Sequence, residues 1–567
     1  MIEKISLSEL LEKAQTEENL YNWAEAARLY EKAGKSFLNK KKVKEAANAY
    51  KDLGRVNFLA SETADTNAEF VEWIKRAVEA YNKAKNLFKQ DKNKAEELEC
   101  EAEALFANGF ITSSSSDAKK SFGNSSDLFV EASNIFSKSG DQESLARTLS
   151  RAVYSFNFLQ PFSEDKLESD QLFQKGISLA SKALKISLKV GNLRISSESI
   201  FSELIINMNK VWLKDFKKEP SFKKYLKNNI LKLDEYLELF YNSDDDRALA
   251  MIYSMAGGLY CLYATHYRKD EKEFNEYTDK GLKFLEETLV FARKANNKFL
   301  IVFTLFYIDW FALFARRFKY IQNRISKDVK EIENLRKIFP HSYTPFRYYA
   351  DFFPVFYYAN MAQRSFFTIL QRKTYAKKGI EYAKIALKGA SHSFYIYIPY
   401  QMLTYSYSQL TSLATSKEER DEYAEKMFIY AQKAHDLGEK YEGGIIRAAG
   451  FSSLYRAYKT LAELSEDKVH KIQMLSAAAD ASKRYLEHTP ELWTGILFGQ
   501  IRLALLYEEI GIITGENDTL LQAEEVYKNI IKESLNSGYY SYAAAAYEYL
   551  ARIEDRLGNY RISAEQY

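Results

Sequence analysis

Three stretches near the start of the chain repeat one spacing: Ala26, Tyr30 and Ala33; Ala46, Tyr50 and Leu53; Ala77, Tyr81 and Ala84. Residues four and three apart share one face of an α-helix. A face that reads small, aromatic, small lets a second helix come close while the ring fills the space between them. Such faces bury only against other helices, so each constrains the chain to stack helix upon helix.

Composition agrees. Pro is 7 and Gly 22 of 567 residues, below the usual shares of about 5% and 7%. Period-2 stretches bounded by turn residues, which strands require, are few. The expected fold class is all-α, built of antiparallel helix pairs in a superhelical α-solenoid, because 567 residues exceed one compact core. Cys100 and Cys261 form no spaced framework, which fits a reducing, cytoplasmic setting. The charged start Met1–Ser6 runs into the amphipathic Leu7–Ala14 and is not a secretory signal.

The small–aromatic–small face resembles the second helix of a tetratricopeptide (TPR) repeat, whose signature includes Ala-x3-Phe. Tyr30 and Tyr50 are 20 apart, and carrying the face on neighbouring helices resembles the helical arms of the soluble attachment proteins of membrane fusion. Towards the other end, Leu503, Ala504 and Tyr507 take the Leu, Gly and Tyr positions of the leading TPR helix, and Ala523 and Tyr527 those of the second. Tyr547, Leu550 and Ala551 repeat the leading helix, with Glu554 in place of its Tyr. Gly558 and Tyr560 then mark the turn, Ser563 replaces the small residue, and Tyr567 takes the aromatic. The resemblance implies helix pairs and does not specify a ligand.

The reading divides the chain into an N-terminal TPR-like arm (1–111), a Ser-rich loop (112–127), further helical repeats (128–291), an aromatic and basic central segment (292–390) and a C-terminal TPR-like arm (391–567). The last repeat reads as unfinished, so an apolar face around Tyr547, Leu550, Tyr560 and Tyr567 is expected to await a continuing chain, a partner or a second copy.

Ala292–Lys388 holds 19 Lys and Arg against 6 Asp and Glu, a balance of +13 in a chain of net +3. Aromatic residues crowd the same window. Tyr307, Tyr348, Tyr349, Tyr357 and Tyr358 are expected to line a concave groove whose rim carries Arg316, Arg317, Arg347 and Arg364, since guanidinium forks suit carboxylate or phosphate. The near-neutral total favours an acidic protein or peptide segment over nucleic acid. Phe299–Ala315 is apolar on every face, yet its 17 residues reach about 25 Å of the ~30 Å a bilayer core needs, and Asp309 sits within it. Burial inside the array is expected, not a membrane span.

No Gly-x-Gly-x-x-Gly, His-Glu-x-x-His or Cys-x-x-Cys occurs. Gly34-Lys35-Ser36 lacks the opening Gly of a phosphate loop and reads as a helix end. The six His are scattered. The expected protein is not an enzyme and needs no cofactor or metal. It is an adaptor binding its partner in the groove or, alternatively, the regulatory part of a larger machine whose catalytic part lies elsewhere.

Overall fold

The computed structural model describes residues 6–566 except 214–219, 268–269, 316, 340–344, 390–395, 442–443 and 490–492. Among the described residues every regular element is helical and none is a strand. Among the described residues consecutive helices pack on one another, except that Pro220–Phe240 rests on Asp246–Tyr267 rather than on Leu193–Leu213, and alternate helices form two layers. The inner layer comprises Val43–Ser61, Lys94–Asn108, Gln142–Leu159, Leu193–Leu213, Asp246–Tyr267, Lys298–Phe314, Pro345–Ala362, Tyr397–Ser412, Gly444–Leu464, Trp493–Thr514 and Tyr540–Arg556. From Gln142–Leu159 to Gly444–Leu464 these helices pack on one another as well as on their sequence neighbours; the helices between them rest chiefly on the helices that flank them and so form the outer layer. Inner helices start 47 to 53 residues apart (51 from Val43 to Lys94, 53 from Leu193 to Asp246), well above the 34 of a TPR unit. The fold is therefore an α-solenoid with a longer repeat.

The packing follows the opening pattern. A Cβ added to Gly34 would lie 2.8 Å from the Tyr50 ring, and one added to Gly54 would lie 2.7 Å from the Tyr81 ring. Each ring thus sits directly on the backbone of the preceding helix. Helix starts are capped by side chains: Thr66 Oγ1 accepts from Glu69 N at 3.1 Å, and Asp141 Oδ1 from Ser144 N at 3.0 Å. Gly140, at φ 79°, closes Ser115–Ser139 in the left-handed conformation that glycine adopts without cost.

Successive superhelical turns touch. The loop after one inner helix meets the loop before another inner helix roughly five repeats on. Lys298 N donates to Glu62 O at 2.8 Å, Tyr441 Oη to Ser163 O at 2.6 Å, and Glu271 N to Ser537 O at 2.8 Å. Gly444–Leu464 also packs on Leu193–Leu213.

Several expectations are corrected. The Ser-rich stretch 112–127 is no loop beyond Ser114: Ser115–Ser139 is one helix. Its serines face neighbouring helices, where the buried Ser125 Oγ donates to Ala102 O at 2.8 Å, replacing the water that would favour a turn. At the last repeat Leu550 is buried and Tyr547 half-buried against the chain's own helices, while Tyr560 is exposed; Tyr567 lies outside the described residues. Phe299 to Asp309 is buried without a break, and among the described residues no helix is long and apolar enough to cross a membrane.

Candidate functional site

The residues first expected to form the groove are mostly core. Tyr307, Tyr349, Tyr357 and Tyr358 are 4–9% exposed, and the Tyr307 and Tyr349 rings pack at 5.8 Å. Arg347 is no rim residue either. Its Nε donates to both carboxylate oxygens of Asp351 at 2.9 Å, and its Nη1 to Phe339 O at 3.0 Å. With Asp351 one turn away on the same buried face, that fork is fully occupied within the fold. Arg317 bridges Asp279 at 2.7 Å on an outer helix. Arg364 is half-buried in the edge loop after Pro345–Ala362. Arg316 and the Tyr348 side chain lie outside the described residues. Much of the basic window instead spreads over outer helices: Lys327 and Lys330 are exposed on Phe318–Leu335, and Lys377, Lys378, Lys384 and Lys388 on Ile369–Gly389. Hydrophobic periodicity placed the rings correctly on one face; that face turns into the array.

The inner layer carries its own arginines, in two contrasting sets. In the first turn each meets a carboxylate. Arg147 Nε donates to Glu99 Oε1 at 2.7 Å and Arg151 Nη2 to Glu103 Oε2 at 2.6 Å, both partners one repeat, 48 residues, away. Arg194 and Arg55 share the buried Glu18, and Arg247 holds Glu62 and Glu198. Burial alone would raise the Glu99 carboxyl, but the Arg147 and Lys51 charges hold it down to about 2. These charges are spent on closing the superhelix.

The second turn differs. Arg456 Nη2 donates to Gln363 Oε1 at 2.9 Å, and its guanidinium carbon lies 5.3 Å from the Tyr405 ring centroid. Arg502 Nη1 donates to Ser452 Oγ at 3.3 Å, and its guanidinium carbon lies 4.0 Å from the Phe498 centroid and 4.8 Å from that of Tyr455. Tyr405 Oη and Ser452 Oγ, 2.8 Å apart, join the two arginines into one network. Among the described residues neither guanidinium has a carboxylate at ion-pair distance, whereas the neighbouring Arg447, Lys459 and Arg552 bridge Glu439, Glu509 and Glu508. Arg456, Arg502, Tyr405 and Tyr455 are half-buried, and Phe498 is exposed. Three successive inner helices and the loop after Pro345–Ala362 thus bring together two planar cations with no described carboxylate beside them, three aromatic rings and the amide of Gln363. Such a surface can take anionic oxygens on the guanidinium edges and a flat group against a ring.

Sequence reasoning missed this cluster. Its signal was the 50-residue step from Tyr405 to Tyr455 and from Ser452 to Arg502, a period longer than that of a TPR unit. Among the described residues no group of three or more His, Cys, Asp or Glu is placed to hold a metal ion. Cys100 and Cys261 are buried, which pushes both thiols up and away from reactivity.

No protein-family model matches the chain. No curated protein matches it in sequence. Solved structures with related helical layouts include a human IFIT1 dimer with PPP-AAAA (11% identity, TM-score 0.41, covering 86% of this chain and 89% of that one). A human IFIT1 dimer with m7Gppp-AAAA is similar at 12% identity and TM-score 0.41, over 83% of this chain and 90% of that one. A monomeric IFIT1 mutant with Gppp-AAAA follows at 12% identity and TM-score 0.29, over 92% and 89%. Likeness at this level assigns this chain neither a family nor a ligand. The preference for an acidic protein over nucleic acid is nonetheless corrected: the similar structures carry PPP-AAAA, m7Gppp-AAAA and Gppp-AAAA. It had also rested on net charge, which averages over a first turn whose arginines are neutralised internally and says little about the inner face of the second.

Proposed function

We propose that the chain is a helical-repeat binding protein, without catalysis of its own, that takes a single-stranded nucleic acid on the inner face of its second turn. Arg456 and Arg502 would hold backbone phosphates, and Tyr455 and Phe498 would stack a base; Gln363, Gln401 and Ser452 supply polar contacts around them. One observation carries the reading: two adjacent guanidiniums braced on aromatic rings with no carboxylate among the described residues at ion-pair distance. Aromatic platforms beside cationic groups are the usual means of holding an unpaired strand without reading every base.

The test is fluorescence anisotropy with a labelled single-stranded RNA at two salt concentrations, with a Glu-rich peptide as competitor. Two phosphate contacts to a single strand give a log–log salt slope of about −1.4. Arg456→Ala and Arg502→Ala should each weaken binding about tenfold. Equal loss of both variants' affinity for the Glu-rich peptide, with no RNA binding by the parent chain, would sink the nucleic-acid reading.

A further inference from the structure

The edge loop 363–368 and the start of Ile369–Gly389 expose three large apolar side chains side by side: Phe366 and Ile369 at 62% and Leu370 at 75%. Phe366 packs on Phe367 at 4.5 Å, so the tip is a preformed aromatic ledge rather than a loose side chain. Loops of this kind one turn earlier are covered: the loops at Glu62, Ser163 and Glu271 each bond to the next turn. No described residue is seen to cover this one.

The chemistry around the tip restricts what could. From Phe352 to Ile380 there is no Asp or Glu, while Arg364, Arg372, Lys373, Lys377 and Lys378 fall in the same interval. Lys377 and Lys378 are exposed on the outer helix that begins at the tip, and Arg372 Nε is anchored on Ala362 O at 3.3 Å. Stacking a second copy edge to edge would bring this basic sector against Lys40, Lys41 and Lys92, exposed on the opposite edge of the first turn, and like charges oppose that pairing. An apolar point ringed by cations matches a different surface, one with anionic headgroups above hydrocarbon. Acidic loops do occur on the same edge, at Glu418 and Glu419 and at Glu466 and Asp467. They belong to later repeats, so the contact involves one sector of the rim and not the whole edge.

We propose that the chain docks peripherally on anionic lipid bilayers, inserting Phe366, Ile369 and Leu370 at headgroup depth while Lys373, Lys377 and Lys378 engage the lipid phosphates and carboxylates. No helix spans the bilayer in this arrangement. The apolar tip lies on the rim and Arg456 and Arg502 on the inner face, with Gln363 at the start of the shared loop; unchanged RNA affinity of the Phe366→Asp, Leu370→Asp protein separates the two proposals.

Vesicle flotation tests it with the full chain, comparing phosphatidylcholine vesicles with vesicles that also contain phosphatidylserine. Binding is expected only to the anionic vesicles, and raising the salt should weaken it. The double substitution Phe366→Asp and Leu370→Asp, at positions already in water, should abolish flotation while leaving the circular dichroism melt unchanged. Lys373→Glu with Lys377→Glu should reduce the anionic-vesicle affinity about tenfold or more. Absence of flotation with either vesicle overturns the proposal, as does equal binding by the Asp variant. So does a concentration-dependent dimer in analytical ultracentrifugation that the Asp variant abolishes, since the tip would then be an interface between copies.

Discussion

Arg247 Nε donates to Glu62 Oε2 at 3.1 Å although 185 residues separate them, and both side chains are buried. Asn297 Nδ2 reaches the same carboxylate oxygen at 2.7 Å. Glu62 therefore ties one repeat to two others that meet it only because the superhelix has come round. Glu62→Ala leaves the buried Arg247 with Glu198 alone and Asn297 Nδ2 without this acceptor, so it should cost about 1–3 kcal/mol. Leu in place of Glu62 together with Met in place of Arg247 should recover much of that loss. Hydrogen exchange at residues 297–301, beside the lost contact, and urea midpoints of the three proteins check both statements.

Glu99 gives an acid-limb prediction with a definite sign. Its carboxyl is held at about 2 in the folded chain against an ordinary 4.5. The folded state therefore prefers the charged form, and the stabilisation is complete above about 4.5 and disappears as pH falls towards about 2. Glu99→Gln should flatten that limb in a melting series from neutral to acid pH. A limb of unchanged steepness would contradict the assignment.

Asp309 has the opposite sign. Burial, then the nearby Asp328 charge, pushes its carboxyl well above the usual range, with Arg324 opposing from 3.7 Å. Neither of its oxygens has a hydrogen-bond partner. The folded chain prefers the neutral acid, so stability is lost as pH rises from 3.8 towards the raised folded value. Asp309→Asn, which removes the ionisation, should raise neutral-pH stability by about 1–3 kcal/mol relative to the parent and lose that advantage near pH 4. Paired melts at the two pH values measure the difference.

The close approach of Tyr81 to Gly54 leaves no room for a methyl group, with ring carbons 2.7–2.8 Å from the Cβ position. Gly54→Ala should cost about 1–3 kcal/mol despite the better helix propensity of Ala. Tyr81→Leu added to Gly54→Ala should relieve part of the clash. A stabilised Gly54→Ala protein would show that the contact yields instead.

At the proposed strand-binding face, base stacking would use the ring of Tyr455 and not its hydroxyl. Tyr455→Phe should leave RNA affinity within about twofold, while Tyr455→Ala should lose 1–3 kcal/mol, roughly five- to a hundredfold. Anisotropy titrations of the two variants separate stacking from hydrogen bonding.

The layered helical fold was legible because its determinant is local. Ala26, Tyr30 and Ala33 lie within eight residues, and Gly34 meets Tyr50 across a single turn of chain. Serine near position 120 misled because turn propensity assumes water, and Ser125 and Ser126 instead donate to carbonyls of neighbouring helices. The Arg456–Arg502 face was not legible, since it depends on which arginines lack a carboxylate one repeat away. Arg147 and Arg502 look alike in sequence; only the 48-residue offset to Glu99 separates a neutralised cation from an available one.

The edge-to-edge bonding of successive turns also limits how such a chain can change length. An ordinary solenoid gains or drops a unit anywhere, because each unit touches only its neighbours. Here, deleting one repeat between Glu62 and Arg247 would bring a different helix start opposite Glu62. It would likewise shift the pairings of Ser163 with Tyr441 and Glu271 with Ser537 if it fell within their spans. Lineages of this architecture should therefore keep the number of repeats between these partners fixed, with tolerated insertions gathering in loops whose edge faces water.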